Sequence, residues 1–142
     1  MKLVDANVLL YAVNSDTLHH ARARRWLDGA LSGADTVAFS WVALLAFVRL
    51  STKVGLFPNP LSTDQSMDRV EAWLGAEPAV VVEPTAAHAR IVRDLLKGIG
   101  TGGNLVNDAH LAALAIEHRC GVVSFDNDFS RFAGVDWEPP PP

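Results

Sequence analysis

The chain has a single cysteine, Cys120, so an internal disulfide is excluded, and one thiol suits a reducing cytoplasm. It lacks any apolar run of the roughly 18–20 residues needed to span a bilayer. Its opening, MKLVDANVLLYAV, is interrupted by Asp5 and Asn7 and is followed by no small-residue cleavage site, so it does not read as a secretory signal. Positive charge is not in excess either: 12 Lys and Arg stand against 16 Asp and Glu, a formal net charge of −4. That excludes a coat protein relying on a broad basic surface. It does not exclude a nuclease, which can gather acids around a metal and leave scattered Lys and Arg to the phosphates. Internal repeats and linkers are missing too. What is there is 142 residues, 49% apolar and 20% charged, enough for one domain with a sizeable core.

Short apolar stretches alternate with longer helical patterns. Residues 2–5 read as a buried strand, with Asn7 capping a short helix to about Tyr11. Residues 19–31 carry Ala21, Ala23, Trp26, Leu27, Ala30 and Leu31 at helical spacing, with Arg22, Arg24 and Arg25 outward. Residues 36–39 form a second strand, and Ser40 caps an apolar helix from Trp41 to about Val54. Residues 55–60, GLFPNP, are a loop. Thr63 begins a helix with Met67, Val70, Trp73 and Leu74 on one face, and residues 79–82 are the third strand. Thr85 caps a helix to about Lys97, broken by the glycines of residues 98–103. Residues 107–118 are helical, 121–124 a fourth strand and 135–137 a short fifth. Residues 1–137 thus form one domain, and the Pro-rich 138–142 are expected to be a loose tail. Strands and helices in this order imply an α/β fold, a parallel sheet covered on both faces.

Ligands of such sheets gather at the carboxyl ends of the strands, where the strand order reverses. Asp5 ends the first strand, and Asp126 and Asp128 lie just past the fourth. Asp108 sits in the first turn of the helix that descends to the fourth strand, hence on the same edge. If the first and fourth strands are neighbours, these carboxylates share a crevice. Carboxylates within ~4–6 Å raise one another's pKa values, and a divalent cation relieves the repulsion. Hard oxygen ligands suit Mg²⁺ or Mn²⁺, which can activate water and stabilise charge on a phosphodiester. Such chemistry cuts nucleic acid without a Ser, Cys or His nucleophile.

Plainer roles compete for each group. Asp108 alone would complement a helix dipole, and Asp126 and Asp128 alone would make turns. Asp5 differs, because a carboxylate placed between Leu3-Val4 and an apolar helix is buried by pattern and needs a partner. Residues 98–103 match G-x-G-x-x-G but follow a helix rather than a strand, and no Gly-Lys-Ser/Thr follows. The Asp126-Asn-Asp128 segment lacks the later Gly and Glu of an EF-hand loop. His110, His118 and Cys120 have no paired cysteine to make a zinc site. Trp26, Trp41 and Trp73 occupy core positions of their helices, whereas Trp137 lies near the tail. The Arg22, Arg24, Arg25 group reads as a solvated face, with RNA phosphate as its alternative ligand. A phosphoryl-accepting receiver module would need a Lys after a late strand, and residues 124–131 hold none.

The segments LVDANVLLY (3–11), NDAHLAALAIEH (107–118) and SFDNDFSRF (124–132) resemble, in order and spacing, the signature blocks of VapC-type PIN-domain toxins. WVALLAFVRLST with the GLFPNPLS loop is similar to a subgroup abundant in mycobacteria. The resemblance covers residues 2 to about 137. It implies a sheet of order 3-2-1-4-5, a homodimer, a cognate antitoxin, and Mg²⁺- or Mn²⁺-dependent endoribonuclease action on structured RNA such as tRNA or rRNA. Position by position, Asp5, Asp108 and Asp126 match the metal-binding acids and Asp128 the accessory one, the four forming the catalytic set. The match departs at one place. Many PIN domains carry a Glu three residues before an Arg on the helix after the second strand. Here the Arg is Arg49 and the position holds Ala46, so the resemblance does not extend to a second metal. Ser40 on the same helix is a cap, with a weak oxygen ligand as its alternative. A PIN domain that dimerises and binds an antitoxin without cutting is the alternative function.

Overall fold

The computed structural model describes residues 1–142. Its elements are β1 (Lys2–Val4), α1 (Ala6–Val13), α2 (His20–Leu31), β2 (Val37–Phe39), α3 (Trp41–Ser51), α4 (Thr63–Leu74), β3 (Ala79–Val81), α5 (His88–Ile99), α6 (Val106–Glu117), β4 (Gly121–Val123) and β5 (Trp137–Glu138). Short 3₁₀ turns at Gly103–Leu105 and Asn127–Arg131 precede α6 and follow β4. The sheet is parallel throughout, in the order β3-β2-β1-β4-β5. β1 and β4 are therefore neighbours, and the order reverses between them.

Strand alternation splits the interior into two cores. Leu3, Ala38 and Val122 face α5 and α6, where Leu95, Ala109, Leu111, Ala112, Ala113 and Leu114 complete one cluster. Val4, Val37, Phe39 and Val123 face α1–α4, meeting Val8, Leu9, Leu27, Leu44, Phe47 and Trp73. The period of two along each strand fixes this division. β1 is the centre of both, with Leu3 and Val4 fully buried. Its register opposite Val122 and Val123 holds Asp5 beside Ser124 at the top edge.

Several boundaries move for identifiable reasons. Asp5, not Asn7, caps α1: its carboxylate accepts the Ala6 amide at 2.7 Å, which releases the Asn7 side chain for a tertiary role. Ser40 caps α3 as expected, accepting from the Ala43 amide. α3 stops at Ser51, whose hydroxyl meets that of Ser66 at 2.8 Å in a buried pair. That contact turns Ser66 inward on α4, so Met67 faces solvent rather than the core. Ser62 and Gln65 close a reciprocal capping box before α4. Thr85 begins a turn instead of α5, which starts at His88 and ends at Gly100, a left-handed position with φ 71°. Trp41 is 40% exposed and no core residue, whereas Trp73 packs edge-on against Phe47 at 4.8 Å. The expected loose tail is seated on α2: Arg22 donates to the carbonyls of Pro140 and Pro141, and Arg25 to that of Pro142. Arg24 pairs with Asp28 one turn on, so the three arginines form no free basic patch. No helix is long and apolar enough to cross a membrane.

Candidate metal centre

At the β1–β4 edge the chain builds a network around one hydroxyl. Ser124, fully buried, donates to Asp5 Oδ2 at 2.6 Å and accepts from the Asn7 amide at 3.0 Å and from the Asp126 backbone N–H at 3.0 Å. Asn7 also donates to Asp5 Oδ2 at 3.1 Å, and its carbonyl oxygen accepts the Phe125 N–H at 3.1 Å. The indole of Trp137 donates to the Ser124 carbonyl at 2.9 Å, tying β5 to the same corner. Asp5, 8% exposed, is thereby held by three donors from three residues. Charge-assisted bonds of this kind contribute about 1.5–3 kcal/mol each.

The other acids face it. Oxygen atoms of Asp108, Asp126 and Asp128 all lie within 4.8 Å of one another. Asp108 comes from the first turn of α6. Asp126 and Asp128 come from the 3₁₀ turn, where Asp126 Oδ1 caps the turn by accepting from the Asp128 N–H at 2.9 Å. The turn-making role and the clustering therefore coexist. Asp5 stands outside this tight trio but feels it. Burial pushes its carboxyl above the ordinary value against the lowering effect of Ser124 and Ala6, and the Asp126 charge adds to the rise.

Asp108 shows the strain most clearly. Burial and then the charges of Asp5, Asp126 and Asp128 push it up to about 7, helped by a hydrogen bond to Asp126. One cation touches the group: Arg131 approaches Asp128 at 3.8 Å, in solvent. Such an exposed pair contributes little, about 0–1 kcal/mol, and leaves the cluster uncompensated. All the donors are hard carboxylate oxygens gathered within 4.8 Å of one another, the chemistry that suits Mg²⁺ or Mn²⁺. The residues present fit a divalent ion.

All four acids singled out in the sequence lie at this edge. Sequence reasoning missed Ser124 and Asn7, which it assigned to a strand end and a helix cap. The signal was present in the spacings Asp5-x-Asn7 and Ser124-x-Asp126, short polar residues flanking an acid at the ends of the two central strands. Hollows do not mark the site: a cavity of about 500 Å³ opens between α2 and the tail, and none of the four acids lines it. Lys2 pairs with Glu138 at 2.9 Å there, and Arg22 is engaged by Pro140 and Pro141.

Residues 2–135 match the PIN domain family. The chain is 63% identical over 141 residues to Ribonuclease VapC37 of Mycobacterium tuberculosis, covering 99% of this chain and 98% of that protein. It is 37% identical to Ribonuclease VapC25 of the same species, covering 99% of both. Among solved structures it superposes on FitAcB of Neisseria gonorrhoeae with a TM-score of 0.68 and 27% identity, over 99% of this chain and 98% of that one. The fold also matches M. tuberculosis VapC20, a sarcin-ricin loop cleaving toxin, with a TM-score of 0.70 at 19% identity over 95% and 96% of the chains.

Proposed function

The chain belongs to the PIN-domain family, and from that membership and its acid centre we propose that it is the toxin of a toxin–antitoxin pair, a divalent-metal-dependent endoribonuclease. The observation that carries the metal part of this reading is the gathering of Asp108, Asp126 and Asp128 oxygens within 4.8 Å of one another, with burial and the neighbouring charges pushing Asp108 up to about 7. The ribonuclease part rests on the VapC relatives named above, of which the first covers 99% of this chain.

In this reading Asp5, Asp108 and Asp126 hold Mg²⁺ or Mn²⁺, with Asp128 as the accessory acid. When bound, the ion supplies the positive charge that activates water and balances charge developing on the scissile phosphate. The protein's own contribution is to hold the acids in place. Ser124 and Asn7 fix the Asp5 carboxylate, and the Ser124 hydrogen bond offsets part of the cost of its burial. The Asp126 cap fixes the turn that carries Asp128. The open, acid-lined edge suits a backbone phosphate brought in with its ion, and structured RNA such as tRNA or rRNA is the substrate class. Trp41 and Leu45, one turn apart on α3 and 40% and 58% exposed, form an apolar strip for a second copy of the chain. The cytoplasm is the compartment in which one unpaired thiol and an RNA substrate meet.

The test is cleavage of total tRNA and rRNA by purified protein with Mn²⁺ or Mg²⁺, compared with excess chelator and with Asp5→Asn and Asp126→Asn. Activity only in metal-loaded wild type is expected. Full cleavage by either variant or in chelator overturns the mechanism, and no cleavage of any RNA favours a binding module that dimerises and engages its antitoxin without cutting. Ala46, where many PIN domains have Glu, is the observation on that side.

A further inference from the structure

His110 does not meet His118 or Cys120. His118 Nε2 bonds the Glu83 carbonyl at 2.7 Å, and Cys120 packs against the α5–α6 core. His110 instead meets His88 of α5, with its Nδ1 2.9 Å from His88 Nε2. Behind His88 stands Glu117, whose side chain is 2% exposed and fully engaged. One oxygen accepts the Thr85 backbone N–H at 2.9 Å and the Thr85 hydroxyl, and the other bonds His88 Nδ1. An ionised carboxylate only accepts, so the proton of this contact sits on His88 Nδ1. In the neutral ring Nε2 is then a lone pair that accepts from His110 Nδ1–H, and a metal takes the place of that proton once His110 shifts it to its own Nε2.

We propose that His88 and His110 form a second metal site, a two-imidazole chelate for a borderline transition ion of the Cu²⁺ or Ni²⁺ kind, with Glu117 as the positioning residue behind it. A carboxylate on the far nitrogen is how metal-binding histidines are oriented. With metal–nitrogen bonds of about 2.0–2.1 Å, a 2.9 Å separation gives a bite angle of about 90°. That matches tetragonal or octahedral ions and is narrower than tetrahedral zinc prefers. The ring centroids are 4.8 Å apart at 76°, closer than end-on rings across this gap would stand. The nitrogens thus meet off-axis, as two rings leaning on one ion do. The remaining coordination positions open into a cleft of about 630 Å³ lined by Val42, Val92, Arg93, Val106 and Asn107. Water would complete the shell there, and Asn107 is the polar neutral residue lining the same cleft. The ligands are imidazoles and bridge α5 to α6, unlike the carboxylates at the strand edge.

The probe is Cu²⁺ alone, added to the full chain carrying Asp126→Asn to weaken the carboxylate site. Pulsed and continuous-wave EPR then count the coordinated imidazole nitrogens, and melting curves are run with and without the ion. One Cu²⁺ per chain, two imidazole nitrogens and a raised Tm are expected. His88→Gln and His110→Gln should each remove one nitrogen and weaken binding at least tenfold. Glu117→Gln should keep both nitrogens yet weaken binding about 10–100-fold. An unchanged nitrogen count in His88→Gln, or oxygen-only coordination in the parent, overturns the site. So does a loss of Tm that is the same with and without Cu²⁺ in all three variants, because it assigns the Glu117–His88–His110 chain to structure alone. If one histidine variant does not fold, the other and Glu117→Gln decide.

Discussion

Replacing Asp108 with Asn asks directly whether the acid cluster stores repulsion. The folded value of about 7 lies above the unfolded 3.8. For a carboxyl raised in this way, the folded state is favoured fully below about pH 4, and that advantage is lost as pH climbs through about 7. Without screening, the difference amounts to about 4 kcal/mol at high pH. Asp108 is half-exposed, so solvent trims the loss to about 1–2 kcal/mol. Asn imitates the protonated acid in shape and can still donate to Asp126. It forfeits a helix-dipole contribution at the start of α6 of about 0.3–1 kcal/mol. The balance is about 1 kcal/mol in favour of Asn above pH 7, or about 3–5 °C in Tm for a chain of this size. Paired melts in chelator at pH 8 and pH 5 measure it: Asp108→Asn should melt higher than wild type at pH 8, and the gap should narrow at pH 5 and close near pH 4. Equal melting at pH 8, or a lower Tm for the variant there, would refute the claim that burial and the neighbouring charges penalise the ionised Asp108. Adding Mn²⁺ at pH 8 should reverse the order, because the ion stabilises only the wild type.

Ser124→Ala should cost about 2–4 kcal/mol in urea unfolding, since Asp5 loses a charge-assisted donor and the Asp126 N–H loses its acceptor. The loss should be larger at pH 8 than at pH 5, and a cost below about 0.5 kcal/mol removes the hydroxyl from the centre of the network. Mn²⁺ affinity of the wild type should rise with pH through about 7, as the proton on Asp108 stops competing; a flat profile by calorimetry excludes that carboxyl as a ligand. Ala46→Glu, one turn beyond Val42 on α3, should tighten Mn²⁺ binding and lower the metal-free Tm, and unchanged affinity places position 46 away from the acids. A cognate antitoxin should block the edge with an Arg or Lys reaching the carboxylates, and a complex in which the partner lies far from Asp5, Asp108 and Asp126 excludes this.

Much of the fold was legible because it follows from local pattern. Three-residue apolar strands between amphipathic helices can only be a parallel sheet covered on both faces, and the acids at its carboxyl edge follow from the handedness of such crossovers. Ser40 begins α3 and Gly100 closes α5 for reasons contained in the residues themselves, a capping hydroxyl in one and a missing Cβ in the other. The resemblance in three short segments added the strand order, which periodicity does not specify.

The tertiary structure decided whatever depends on residues distant in sequence. Asp5 displaces Asn7 as the cap because Asn7 is wanted by Ser124 and Phe125, 117 and 118 residues away. Met67 turns outward because the hydroxyl of Ser51 claims Ser66. The tail settles because Arg22 and Arg25 find carbonyls in it. The pairing of His110 with His88 rather than with the nearer His118 needed α5 laid against α6. A sequence states which groups must be satisfied when buried. Which partner satisfies each is a matter of distance, and distance exists only once the chain has folded.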